Sequence, residues 1–296
     1  KTCFDVLFYD EDMQEIMRHF AVCQVNAPGQ HEGASTFPAG FTYPSMDKLS
    51  ETLPIVLKHF KIKSVIGMGV GAGANILTRF ALKYPDLVEG LVLMNINAQA
   101  RAGQTGQHTS LCVLQPLKIN PHFPQISSWA LGPPSVVISH LFGQEEIKKK
   151  AEFVKTFRHN ISKRINQTNL LLFMKSYNSR SKLNIKRTSL GRKTLKCHTL
   201  LVVGDDSPVV DAVVDCNSKM NPSKTTLLKM ADCGGLPQLD QPGKLAEALK
   251  YFIQGLGYMS SAGMTHLSHW HPAFSTRMAF FHPWAITSME STSKQR

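Results

Sequence analysis

The chain has 296 residues, a formal net charge of +12, and 43% hydrophobic against 18% charged residues. This length allows one large or two ordinary domains, and the composition excludes a disordered chain. No apolar run reaches the roughly 18 residues that a membrane span needs. Nor does a charged–apolar–small signal peptide open the chain, so an intracellular, cytoplasmic protein is expected. Lys1 in first place reads as a chain whose N-terminus is missing.

The predicted elements, in chain order, alternate between helix and buried strand. A helix runs from Asp10 or Glu11 to Phe20, with Met13, Ile16, Met17 and Phe20 at helical spacing. Ala21–Val25 is a strand that ends in the turn Asn26-Ala27-Pro28-Gly29. Residues 30–44 are loop, and Ser45 caps a helix to about Phe60 in which Pro54 predicts a kink. Lys63–Ile66 is a strand, followed by a glycine-rich stretch and a helix that stops before Pro85. Leu91–Ile96 is the next strand.

Residues 98–190 break this rhythm and read as a helical cap, with helical patterns at Val136–Phe142, Gln144–Phe157 and Leu170–Tyr177. Strand Thr199–Val203, helix Pro208–Lys219, strand Thr225–Lys229 and helix Gln241–Leu256 then resume the alternation. Such alternation predicts a parallel sheet covered by helices on both faces. The division is therefore 1–97 and 191–259 as two parts of one α/β domain, 98–190 as its cap, and 260–296 as a mobile tail.

The charge is concentrated. Arg180, Lys182, Lys186, Arg187, Arg192, Lys193 and Lys196 follow one another with no acid between them. A solvated connecting loop is the reading, with an anionic lipid or nucleic-acid surface as the alternative. Cys3, Cys23, Cys112, Cys197, Cys216 and Cys233 are scattered and read as reduced, mostly buried thiols. The glycosylation sequons at Asn160 and Asn166 carry no weight in a chain read as intracellular.

A strand–turn–helix with glycines around its tip is the form of a nucleophile elbow, G-x-S-x-G. Gly67-Met68-Gly69-Val70-Gly71 has that form, with Gly69 at the nucleophile position. Glycine has no atom that can attack a carbonyl. The acid slot, third after Gly204, is Ser207, although Asp205 and Asp206 lie beside it. Gly235, in Asp232-Cys233-Gly234-Gly235-Leu236-Pro237, stands where the histidine belongs. Hydrolysis needs hydroxyl, base and orienting acid together, and loss of one costs orders of magnitude in rate.

Three other chemistries are compatible with parts of the sequence. Cys233 could be a thiol nucleophile, but no histidine adjoins it, and an incidental buried thiol is favoured. Gly67-x-Gly69-x-x-Ala72 fits a dinucleotide loop, but the next strand ends in Asn95-Ile96-Asn97, without the acid that would hold a ribose. His269 and His271 could hold a metal weakly, with no Cys or carboxylate to join them. No cofactor and no metal are expected.

Several long strings resemble the N-myc downstream-regulated (NDRG) family. Among them are Val25-Asn26-Ala27-Pro28-Gly29, Ile66-Gly67-Met68-Gly69-Val70-Gly71-Ala72-Gly73-Ala74, Val88-Glu89-Gly90-Leu91-Val92-Leu93, Ser139-His140-Leu141-Phe142-Gly143 and Met230-Ala231-Asp232-Cys233-Gly234-Gly235-Leu236-Pro237-Gln238. The likeness covers residues 1–98 and 125–265. It implies a cytoplasmic, non-catalytic α/β-hydrolase-like protein with protein partners. The family's roles are in signalling, stress response, growth control and differentiation, with peripheral membrane association for some members.

Residual esterase activity and binding of nucleic acid or anionic lipid through the basic stretch are the alternatives. Three departures stand out. The family strand that ends in a His-Asp-x-Gly turn would precede Lys1. In α/β-hydrolase order it sits between the strands at 21–25 and 63–66, and its loss should leave ladder groups unpaired or force those two strands together. Residues 99–124 differ from the family's cap segment. The tail after His266 differs too.

Overall fold

A computed structural model describes residues 3–100, 132–187, 194–259 and 276–282. The N-terminal part runs α1 (Asp5–Phe8), α2 (Glu11–His19), β1 (Val22–Asn26), α3 (Met46–His59), β2 (Ser64–Val70), α4 (Ala72–Lys83), a 3-10 turn at Pro85–Leu87 and β3 (Val88–Met94). The cap supplies α5 (Pro133–Leu141), α6 (Gln144–Lys149), α7 (Ala151–Arg164) and α8 (Gln167–Asn178). The chain returns through β4 (His198–Gly204), α9 (Val210–Ser218), β5 (Thr225–Met230), α10 (Pro237–Asp240), α11 (Pro242–Gly255) and β6 (Thr276–His282).

Local chemistry sets the helix starts. The Asp12 N–H donates to the Asp10 carboxylate at the head of α2, and the Lys48 N–H donates to Ser45 Oγ at the head of α3. Asn166 accepts from both Thr168 and Asn169 at the head of α8. Helix α3 is continuous through Pro54.

All pairings are parallel, in the order β1-β6-β2-β3-β4-β5. Strand side chains alternate between two cores, as a two-sided sheet requires. Leu91, Leu93, Leu201 and Val203 pack with α3, α4 and α9 on one face. Val92, Met94, Leu200 and Val202 pack with α1, α2 and α11 on the other.

The centre of the sheet departs from expectation. The slot between β1 and β2 is neither open nor closed up, because β6 occupies it. Its register with β1 runs from Val22↔Met278 to Asn26↔His282, and with β2 from Ser64↔Thr276 to Gly69↔Phe281. Residues 276–282, expected within a mobile tail, form this strand. Two adjacent strands with unmet ladder groups make a strong template for any extended segment that can reach them. The Ser- and Thr-rich surroundings hid a run, Met278-Ala279-Phe280-Phe281, of good strand composition.

Candidate functional site

The carboxyl ends of the strands are where an α/β sheet places its chemistry. Strand β2 continues to Val70 and α4 begins at Ala72, so Gly71 alone makes the turn between them. Gly71 has φ 55° and ψ −108°, the strained conformation of an elbow tip. Gly69, expected at the tip, lies two residues earlier inside the buried strand. The physical reason is frame: the run 67–73 satisfies a Gly-x-Gly-x-Gly spacing twice, and the strand is longer than Lys63–Ile66.

A Cβ added to Gly69 would meet the Gly73 carbonyl carbon at 2.7 Å and the Ala74 nitrogen at 2.8 Å. Gly69 is thus a flanking glycine that lets strand and helix approach. A Cβ on Gly71 would meet nothing within 4 Å. The dinucleotide pattern fails for the same reason. Gly67 and Gly69 lie within β2, and a Cβ on Gly67 would touch Leu77 and Leu91 at 3.1 Å, so these glycines serve packing.

The loop expected to carry a histidine is covered by the cap. A Cβ on Gly235 would stand 1.5 Å from the Leu141 carbonyl oxygen, at the end of α5. One on Gly234 would stand 1.6 Å from Glu146 Oε1, and one on Gly143 would stand 2.8 Å from the Asp206 carbonyl oxygen. Hydrogen bonds fix this approach. The Gly235 N–H donates to Glu146 Oε2 at 3.1 Å, and the Gly234 N–H donates to Asp240 Oδ2 at 2.9 Å. Lys150 pairs with Asp240 and lies 3.9 Å from Glu146 Oε1. Glu146 is 2% exposed, and burial pushes its carboxyl above the usual range.

Ser207, in the acid slot, is buried and donates from Oγ to Asn95 Oδ1 at 3.1 Å. Asn95 in turn donates from Nδ2 to the Gly235 carbonyl, so one amide ties the acid slot to the histidine slot. Sequence reasoning missed this residue. Its signal was an asparagine directly after β3, since asparagine tolerates the left-handed backbone that Asn95 adopts at φ 51°.

The two neighbouring acids are committed elsewhere. Asp205 Oδ1 accepts the Cys233 N–H at 3.2 Å, and that bond leads the causes that hold its carboxyl below the usual range. Asp206 pairs across to Lys149 at 3.4 Å. Cys233 is fully buried, and burial pushes its thiol up to about 12, so it holds no useful thiolate at neutral pH.

A model of the Ndr family matches residues 1–260. The chain belongs to that family. It is 57% identical over 269 residues to protein NDRG1 of Xenopus tropicalis, covering 90% of this chain and 64% of that one. It is 52% identical over 283 residues to protein NDRG3 of Xenopus laevis, covering 93% and 72%. The chain therefore spans 64% of the length of the first of these Ndr-family relatives. Among solved structures it is similar to a carboxylesterase of the thaumarchaeon Nitrososphaera gargenis, with a TM-score of 0.55 and 14% identity, covering 85% and 86%. That likeness shows the α/β-hydrolase fold alone.

In this Ndr-family chain the basic stretch does not form one exposed face. Arg180 is 6% exposed, donates to the Tyr177 carbonyl at 2.9 Å and lies 4.0 Å over the Tyr177 ring. Lys182, Lys186, Arg187 and Lys196 are exposed, and Arg192 and Lys193 lie outside the described residues. So do Cys112, His269 and His271. Among the described residues no group of three or more His, Cys, Asp or Glu could hold a metal, and no helix is long and apolar enough to cross a membrane.

Proposed function

We propose that this chain is a non-catalytic α/β-hydrolase-like protein that acts by binding protein partners, as a signalling adaptor of the cytoplasm in growth, differentiation and stress responses. One observation carries the reading. The position a catalytic histidine would need is filled by the Leu141 carbonyl, 1.5 Å from where a Cβ on Gly235 would stand. A general base cannot be housed there with the cap in place, and Gly71 offers no nucleophile. The committed acids and the un-ionised Cys233 support the same reading.

The adaptor role itself rests on the family membership and on the contacts of α5 and α6 with the Gly234-Gly235 loop, where an added Cβ would meet Glu146 and Leu141. A panel of short-chain esters, run beside a thiol-directed probe, tests the proposal. No turnover above buffer is expected, and turnover that disappears in Cys233→Ala would overturn it.

A further inference from the structure

We propose that the outer edge of β5 is a self-pairing surface, on which a second copy of this chain lays its own β5 antiparallel about a two-fold axis at Leu227. The sheet ends at β5, and among the described residues no strand covers its outer side. The Thr199 N–H donates to the Lys224 carbonyl and the Asp205 N–H to the Met230 carbonyl, with register running from Thr199↔Thr225 to Gly204↔Met230. The even-numbered residues of β5 therefore turn their main-chain groups to β4, and Thr225, Leu227 and Lys229 turn theirs outward. Protected edges carry a proline, a bulge or a free charge. Strand β5 has no proline, and its register with β4 is unbroken. Its lysines are engaged within their own subunit: Lys224 Nζ donates to the Lys196 carbonyl at 2.6 Å, and Lys229, after the Cys233 N–H bond, is among the causes that lower the Asp205 carboxyl.

An axis at Leu227 uses all three outward residues. Thr225 then faces the second copy's Lys229, Leu227 faces its own counterpart, and each such pair exchanges two main-chain bonds. Half-buried Leu227 meets Leu227 on one face of the sheet, and half-buried Leu228 stands opposite Thr226 on the other, so both cores continue across the junction. An axis at Lys229 would instead set two ammonium groups against each other. This self-complementarity favours a second copy over an unrelated extended segment. Antiparallel pairing sends the two caps to opposite ends of the joined sheet, and it holds whether or not the chain is an adaptor.

Sedimentation velocity on the full chain tests this. The dimer fraction should rise with concentration up to about 100 µM, and a monomer throughout overturns the proposal. Thr225→Pro removes an outward N–H and none that bonds β4, so it should weaken the dimer at least about tenfold with the fold intact. A dimer that this change leaves unmoved is built elsewhere, and that result also overturns the proposal. If the variant does not fold, cysteine placement decides. Under mild oxidation Leu227→Cys should give a disulfide-linked dimer that the unaltered chain lacks, because the axis sets residue 227 opposite itself with about 5.5 Å between Cα atoms. Thr226→Cys, opposite Leu228, should not. Equal cross-linking of the two variants, or none for Leu227→Cys, overturns the register and the proposal with it.

Discussion

Replacing Gly235 with alanine should unseat the cap. The new methyl would lie 1.5 Å from the Leu141 carbonyl oxygen, so the end of α5 must withdraw by about 2 Å to reach ordinary contact. Overpacking of this kind costs about 1–3 kcal/mol. The withdrawal also lengthens the 3.1 Å bond from the Gly235 N–H to Glu146. Leaving that buried carboxylate short of a donor adds about 1.5–3 kcal/mol. Together these give about 4 kcal/mol, or a fall in Tm of about 8–16 °C for a domain of this size.

Gly71→Ala is the control, because its Cβ meets nothing within 4 Å. Only the positive φ opposes it, at about 1–2 kcal/mol and a few degrees of Tm. Melting both variants by circular dichroism separates the effects. If Gly235→Ala melts within about 2 °C of the parent, or no lower than Gly71→Ala, the cap is not seated on this loop and the reasoning fails.

Three further outcomes follow from the same geometry. Gly71→Ser should fold, because the tip has room, yet hydrolyse no ester above the parent, because the Leu141 carbonyl fills the place of a base at Gly235; measurable turnover would refute that account. On treatment with iodoacetamide at about pH 8, mapping by mass spectrometry should find half-buried Cys23 modified and Cys233 intact until the protein is unfolded, and early labelling of Cys233 would contradict a thiol pushed up to about 12. Burial raises the Glu146 carboxyl, so the native state binds that proton more tightly than the unfolded chain does. Its stabilising effect is complete below the ordinary carboxylate pKa and is lost as pH rises through the raised value. Glu146→Gln cannot ionise, so its urea midpoint should gain on the parent's between about pH 4 and pH 7, and a constant difference across that range would refute the assignment.

The alternating rhythm of strand and helix was readable because buried parallel strands and capped amphipathic helices leave strong local marks. Ser45 and the run at Leu91–Ile96 needed no tertiary knowledge to interpret. The elbow was legible in kind but not in frame. Glycines at 67, 69, 71 and 73 are equivalent in a string and become distinct only when β2 is seen to end at Val70. Gly235 was singled out from the Gly-Leu-Pro turn that follows the last of the expected strands. What put glycine there was invisible, since the clash partner Leu141 lies far away in sequence and meets it only in the fold. Strand β6 was missed because its pairing energy comes from β1 and β2 and not from its own flanks, which carry the composition of a tail.

The two empty positions of the site are not equivalent. At Gly71 the space for a side chain remains, and a serine would need only to tolerate the strained turn. At Gly235 the space itself is gone, taken by the Leu141 carbonyl and held by Glu146, Lys150 and Asp240. A return of the hydroxyl therefore changes nothing while the cap is closed, and a return of the imidazole requires α5 and α6 to move together with the buried charges that anchor them. On the proposed reading, packing is the larger obstacle to catalysis in this frame. The same contacts join α6 to the loops that follow β4 and β5, through Glu146 to Gly235, Lys149 to Asp206 and Lys150 to Asp240, so on the proposed reading the cap helices are a supported surface for a partner.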